Sequence, residues 1–500
     1  MRKKLLLLNT ITSLLLQIVT LICGFILPKF TMSYFGSDVN GLVNSLNQFL
    51  SVIAFMELGV GAVVQSALYK PLAFKDNEEI NSIVSSASRF FKKIAILLLF
   101  YIGILLIVYP LFVNKAFSPL FVDSLLLIMC IGSFVQYYFG IVDKIVLNSD
   151  QHGYVHYLVQ ICCVLLNTII CVVLIRLKKT IHIVKLATSI IYLIQPICIR
   201  YFLKKKYNLS YNVKNVIEPI KQKWNGVAQH ISAIILDSTD MIILTVFSSL
   251  ANVSIYSVYN MIVNGLRTLL MFVSNSTQAL IGELWAKKEI DNLKNFVTFY
   301  EWAINVVVVF IFGVTSVLIV EFVSIYTLNI VDADYYQPLF SSILTLASAA
   351  YCLRFPYLCT VLAAGHYKET QNSFVISAVL NVFISIFAVK SYGLIGVAIG
   401  TLISMSYQTI WLAFYVSKKL KVTKFATFIK NIAVDLVIVV FSTLICKAFI
   451  NIGTTYVSWI INAFIASIIW ALILLIVNAL LNRKMLSTAT KKIVRTTQNS

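Results

Sequence analysis

IAILLLFYIGILLIVYPLFV, residues 94–113, contains no charged side chain and no polar stripe. At 1.5 Å per residue a helix of this length rises about 30 Å, the thickness of a bilayer's hydrocarbon core. A soluble amphipathic helix would instead carry polar residues along one side. Lys92 and Lys93 stand immediately before the run, where a helix leaving the cytoplasmic surface places its cations. The stretch reads as a membrane span whose N-terminal end is cytoplasmic.

Further apolar stretches flank it on both sides. The fourteen expected spans lie near 5–27, 39–66, 94–113, 121–143, 154–175, 181–199, 226–248, 253–281, 296–321, 337–361, 370–389, 393–416, 431–450 and 455–481. With a cytoplasmic N-terminus, 30 of the 40 Lys and Arg fall in cytoplasmic segments and eight on the other side, while Arg267 and Arg354 lie inside spans. That asymmetry fixes the orientation, because basic residues stay cytoplasmic. Arg176, Lys178, Lys179 and Lys185, expected on an outer loop, run against it locally. The expected fold class is an all-α polytopic membrane protein with about fourteen transmembrane helices and both termini cytoplasmic.

Composition excludes several classes. Only 12% of residues are charged and 59% are hydrophobic, against roughly a quarter charged in soluble domains, so the apolar surface must face lipid. The net charge of +20 sits in short loops, where anionic lipid head groups explain it better than nucleic acid does. All nine cysteines fall in apolar runs, with no CxxC and no Cys/His cluster at zinc spacing. No metal and no cofactor is expected. The N-terminal Met1–Lys4 and following leucines imitate a secretory signal, but Asn9, Thr10, Thr12 and Gln17 interrupt the run, and a retained first helix is the expectation.

The chain divides into an N-terminal six-helix lobe (1–203), a basic cytoplasmic linker (204–225), a C-terminal six-helix lobe (226–420), and two extra helices with a basic tail (421–500). The linker carries Lys204, Lys205, Lys206, Lys214, Lys221 and Lys223. A gap-free shift of 214 residues places His152 on His366, Asn167 on Asn381, Tyr201 on Tyr415 and Lys204-Lys205 on Lys418-Lys419, which is suggestive of a repeat. Six helices return the chain to the same side, so the lobes share orientation about an axis along the membrane normal. Two such lobes can rock about a cleft, an architecture of transporters more than of channels.

Charges at mid-membrane cost at least ~2.5–3.5 kcal/mol on insertion scales, so each needs a reason. Asp237 and Asp240 in the seventh span are three residues apart and share a helical face. Arg267 lies at similar depth in the eighth span, across the short loop 248–254. A structural salt bridge and a substrate- or ion-binding cavity are both open readings, and they are compatible. Asn260, Asn264, Arg267 and Thr268 recur on one helical face, and Asn44, Asn47 and Gln48 mark the second span. These residues, with Arg267 and Arg354, are candidates for substrate binding; Asp237, Asp240 and Glu57 are candidates for ion coupling or a salt bridge. Glu57 is expected deep in span two, with Gly59 and Gly61 allowing close helix approach. Arg354 precedes Pro356 and points either into a cleft or to the surface. Asp143-Lys144 is expected at the interface, and Asp435 and Lys447 have no partner visible from sequence.

Several of these stretches together resemble a family. Tyr34-Phe35-Gly36-Ser37-Asp38-Val39-Asn40-Gly41-Leu42 leads to Glu57-Leu58-Gly59-Val60-Gly61, followed far downstream by Asp237-Ser238-Thr239-Asp240, Ala363-Ala364-Gly365-His366, Asn381 and Tyr392-Gly393-Leu394-Ile395-Gly396-Val397-Ala398-Ile399-Gly400-Thr401. In order and spacing the chain resembles Wzx-type oligosaccharide flippases, the polysaccharide-transporter branch of the MOP superfamily that also holds MATE exporters and the lipid II flippase. The resemblance implies a MATE-like fold of two six-helix lobes plus two helices in a bacterial cytoplasmic membrane. It implies translocation of undecaprenyl-diphosphate-linked oligosaccharide for surface polysaccharide (O-antigen, capsule or exopolysaccharide), with H⁺ or Na⁺ as coupling ion. Membrane lipids, a polysaccharide polymerase and a chain-length regulator are the partners it suggests. In the lipid II flippase a helix pair equivalent to 431–481 helps form a lipid-binding groove.

The nearest rival is a cation-coupled exporter of small molecules. A membrane glycosyltransferase or polymerase should carry a sizeable outer loop with clustered acidic, Arg or His residues. The longest outer loop, around 321–337, holds only Glu321, Asp332 and Asp334. No catalytic residue is therefore expected, and the protein is not expected to be an enzyme.

Overall fold

Every regular element among the described residues is helical. Lipid offers no water to backbone N–H and C=O groups, and a helix satisfies them within its own segment. The computed structural model describes residues 2–57, 59–113, 116–207, 209–211, 213, 227–450 and 453–489; most of the expected basic linker, from 214 to 225, lies outside them. Among the described residues, thirteen helices are long and apolar enough to cross a membrane. The eighth expected span forms as well: it is a helix of 37 residues, Leu250–Ala286, and carries Asn, Arg and Gln side chains along its length. This is a multi-pass membrane protein.

Contacts group the chain into two compact units, Met1–Ser257 and Val258–Ser500. The first contains α1 (Arg2–Phe35), α2 (Ser37–Ser51), α3 (Val60–Phe74), α4 (Asn77–Val113), α5 (Pro119–Val135), α6 (Ile141–Ser149), α7 (Gly153–Arg176), α8 (Ile181–Lys206), α9 (Val227–Phe247) and the start of α10 (Leu250–Ala286). A π-helical turn, Gln136–Gly140, joins α5 to α6 within one span. The apolar centre includes Leu42, Leu46, Leu68, Leu98, Leu125 and Leu126, all fully buried. Apolar burial supplies little drive between helices already in lipid, so close packing and polar contacts must hold them. Gly41 shows the first: a Cβ there would collide with the Leu250 carbonyl. Asn40, Ser45 and Tyr109 show the second. Asn40 Nδ2 donates to Ser254 Oγ at 2.7 Å, Ser45 and Thr245 share a 2.7 Å bond, and Tyr109 donates to Ser45 at 2.8 Å.

The second expected span, 39–66, is not one helix. α2 passes into a 3₁₀ segment, Val52–Glu57, and α3 starts afresh at Val60. Gly59 has φ +70°, a left-handed conformation that L side chains disfavour. Gly59 therefore serves backbone geometry, and neither Gly59 nor Gly61 serves close helix approach: a Cβ on Gly59 would meet nothing within 4 Å, and one on Gly61 only Ile145 at 3.8 Å. Asp143, expected at the interface, is enclosed by protein rather than exposed there. It is fully buried, bonded by Arg200 Nε at 3.2 Å and Tyr211 Oη at 2.7 Å. Of the four basic residues expected on one outer loop, Arg176 ends α7 and Lys185 lies inside α8, leaving Lys178 and Lys179 in the turn.

The second unit continues α10 and adds α11 (Ile290–Tyr326), α12 (Pro338–Leu353), α13 (Phe355–Ala363), α14 (Tyr367–Tyr392), α15 (Leu394–Tyr415), α16 (Phe425–Phe449) and α17 (Tyr456–Leu481). Pro356 sits in the first turn of α13, where its missing N–H is harmless, so the tenth span bends at Arg354. The C-terminal pair α16–α17 is fastened to α11 by polar side chains. Asn305 Nδ2 donates to Asp435 at 2.5 Å, Trp302 Nε1 to Asn478 at 2.7 Å, and Asn462 Nδ2 to Glu321 at 3.0 Å. Asp435 thus has the partner that the sequence did not reveal. Gly313 leaves the space that the fully buried Trp470 ring occupies.

Candidate functional site

The first unit carries the candidate carboxylates. Glu57 ends the 3₁₀ segment at the break in span two, rather than lying deep in a continuous helix, and its Oε1 accepts from Tyr137 Oη at 2.7 Å. Asp240 is buried and accepts from Tyr256 Oη at 2.7 Å. Asp237 is exposed, so the two aspartates, although three apart, occupy different surroundings. Burial without water makes a carboxylate expensive unless it is hydrogen-bonded, which Tyr256 answers for Asp240. The α2 stripe separates likewise. Asn44 donates to the Asn40 carbonyl at 2.9 Å and to Ser257 Oγ at 3.2 Å. Asn47 is exposed, and Gln48 reaches Ser51 at 3.3 Å. Asn44 is thus engaged in helix packing, while Asn47 is exposed.

The second unit brings the two candidate arginines together. The Arg267 guanidinium on α10 and the Arg354 guanidinium at the α12–α13 bend each lie 3.8 Å from the centre of the Tyr351 ring. A cation over an aromatic face is attracted by the ring quadrupole, more strongly where water is scarce. Arg354 is buried, at 5% exposure, and its Nη1 donates to Gln408 Oε1 on α15. Arg354 is thereby enclosed by protein rather than exposed at a surface. Arg267 is half-buried, Asn264 on the same helix is exposed, and Asn260 is half-buried. Glu301, buried on α11, accepts from Tyr357 Oη at 2.7 Å. Tyr351, Gln408 and Glu301 were not singled out from sequence. Glu301 carried a usable signal, a carboxylate inside an apolar run; Tyr351 carried none, since tyrosine is common throughout this chain.

Beside this cluster runs an apolar groove of about 570 Å³ lined by α11, α12, α15 and α16. Ala350 and Leu353 line it, and Phe312, Leu346, Ile410 and Leu436 complete much of its wall. Tyr351 and Arg354 are their immediate neighbours in sequence. One short stretch of α12 thus separates a cationic cluster from an apolar channel.

No protein-family model and no curated protein sequence matches the chain. Solved structures do. A lipid II flippase MurJ in an inward closed conformation aligns with TM-score 0.69 at 16% identity, covering 96% of this chain and 100% of that one. An inward-facing multidrug resistance MATE family transporter of the MOP superfamily aligns with TM-score 0.64 at 14% identity, over 80% and 94% of the two chains. The chain shares the fold of these two structures. The MATE multidrug transporter DinF-BH, solved as a complex, aligns with TM-score 0.61 at 16% identity over 84% of this chain and 96% of its own. Among these three structures, the alignment with MurJ extends over more of this chain than those with the MATE transporters.

Proposed function

We propose that the protein is a flippase that carries undecaprenyl-diphosphate-linked oligosaccharide across the cytoplasmic membrane by alternating access, for assembly of a surface polysaccharide. The observation that carries this reading is the pairing of two guanidiniums at Tyr351 with an apolar groove lined by Ala350 and Leu353, the sequence neighbours of Tyr351 and Arg354. A pyrophosphate needs fixed cationic donors, for which arginine's planar fork is suited. A long prenyl chain needs an apolar channel. Asn47, Gln48, Asn260 and Asn264 supply amide groups for sugar hydroxyls. Asp237, Asp240 and Glu57 are the residues we assign to H⁺ or Na⁺ coupling.

The rival, a MATE-like small-molecule exporter, is compatible with the same fold. Two arginines in the candidate site disfavour the cationic cargo of a drug exporter. The pair α16–α17, one helix of which walls the groove, also supports the lipid-linked reading. In cells, Arg267→Ala should stop surface-polysaccharide assembly while leaving the amount of protein in the membrane unchanged. Wild-type assembly in that variant would remove Arg267 from the site.

A further inference from the structure

The first unit has a second groove, of about 470 Å³, within the ~300–1,000 Å³ range of ligand pockets. Its wall is formed by Val135 and Phe139, at the π-helical turn, and by Leu193, Pro196 and Ile197 on α8. The surface there is turned outward: Ile197 is 67% and Tyr201 73% exposed. One end is basic, with Arg200 and Lys204 in the lining, close to the Lys204–Lys206 run that closes α8. By the positive-inside asymmetry that end lies at the cytoplasmic leaflet, which is rich in anionic lipid.

We propose that this groove holds one anionic glycerophospholipid, with an acyl chain along Val135, Phe139 and Ile197 and its phosphate on Arg200 and Lys204. The charges at the basic end suit an anionic head group. Arg200 and Lys204 contribute two positive charges, and the buried Asp143 bound to Arg200 at 3.2 Å contributes one negative charge. Among the lining residues and Asp143 the balance is one net positive charge, which suits the single charge of a phosphodiester. Arg200 is held in place by Asp143 and by the ring of Tyr211, 4.4 Å away, and its side chain remains 31% exposed. A pre-positioned guanidinium loses little freedom when a phosphate arrives. Tyr201 beside it fits the aromatic belt at head-group depth. The site is independent of what the protein transports.

The test uses the full-length protein in vesicles of phosphatidylcholine doped with phosphatidylglycerol or phosphatidylcholine bearing a photoreactive acyl chain. Labelled peptides are then mapped by mass spectrometry. Phosphatidylglycerol should label the peptides containing Val135–Phe139 and Leu193–Tyr201 in preference to phosphatidylcholine. Lys204→Gln should lower that preference roughly fivefold, the weight of one basic residue at an anionic surface. Ile197→Trp, which fills the groove and leaves the charges, should remove labelling by both lipids there. Arg200 is left intact because it holds Asp143. Equal labelling by the two lipids, or a preference unmoved by Lys204→Gln, overturns the proposal. So does displacement of phosphatidylglycerol by an equimolar polyprenyl diphosphate, which would make the groove a carrier site.

Discussion

At the residue scale, the chemistry turns on how a few charges are accommodated in a low-dielectric interior. Arg354 is buried yet bonded to Gln408 and stacked at Tyr351, while Arg267 reaches the same ring from another helix. The ring is the shared element, so Tyr351 is the residue to vary. Tyr351→Phe keeps the π face and should transport at close to the wild-type rate. Tyr351→Ala should lose roughly tenfold or more, since each of the two cation–π contacts is worth ~0.5–1 kcal/mol when exposed and ~2 kcal/mol or more when desolvated. Equal rates in the two variants, with protein amounts matched, would separate the arginines' role from the ring.

At the element scale, the break in the second span depends on backbone conformation more than on packing. Gly59 holds φ +70° with open space where a Cβ would stand, and Gly61 has ordinary contact distance to Ile145. A left-handed conformation costs an L residue about 1–2 kcal/mol. Gly59→Ala should therefore lower the unfolding midpoint of the detergent-solubilised protein, whereas Gly61→Ala should leave it nearly unchanged; the reverse order would refute this reading of the break. Hydropathy could not reveal the break, because Val52–Glu57 and Val60–Phe74 are both apolar and the interruption depends on one glycine's φ. Helix existence was legible elsewhere, since lengths and apolar runs are set by the bilayer. Partners were not: Asp143 with Arg200, and Asp435 with Asn305, are distant in sequence and meet only through tertiary packing.

At the scale of the whole molecule, the positive-inside asymmetry and the fold agree on a multi-pass protein, with the Lys178–Lys179 turn as the local exception. In a variant without native cysteines, a cysteine at Lys178 should react with an impermeant maleimide from outside intact cells. One at Lys288, in the turn after α10, should react only after permeabilisation. Reaction of both from the same side would invalidate the threading. The spacing of the arginine and asparagine positions indicated candidates for binding, but which of them converge was decided by the bend at Arg354 and by the Tyr351 ring.

The central claim is lipid-linked oligosaccharide translocation. Its most direct test is reconstitution of the purified protein into liposomes containing labelled undecaprenyl-diphosphate-linked oligosaccharide, followed by digestion with an impermeant glycosidase added outside. Wild-type protein should render nearly all the substrate digestible, and Arg267→Ala only the outer-leaflet half. Digestion that stops at the outer-leaflet half with wild-type protein, under both H⁺ and Na⁺ gradients, would contradict the account.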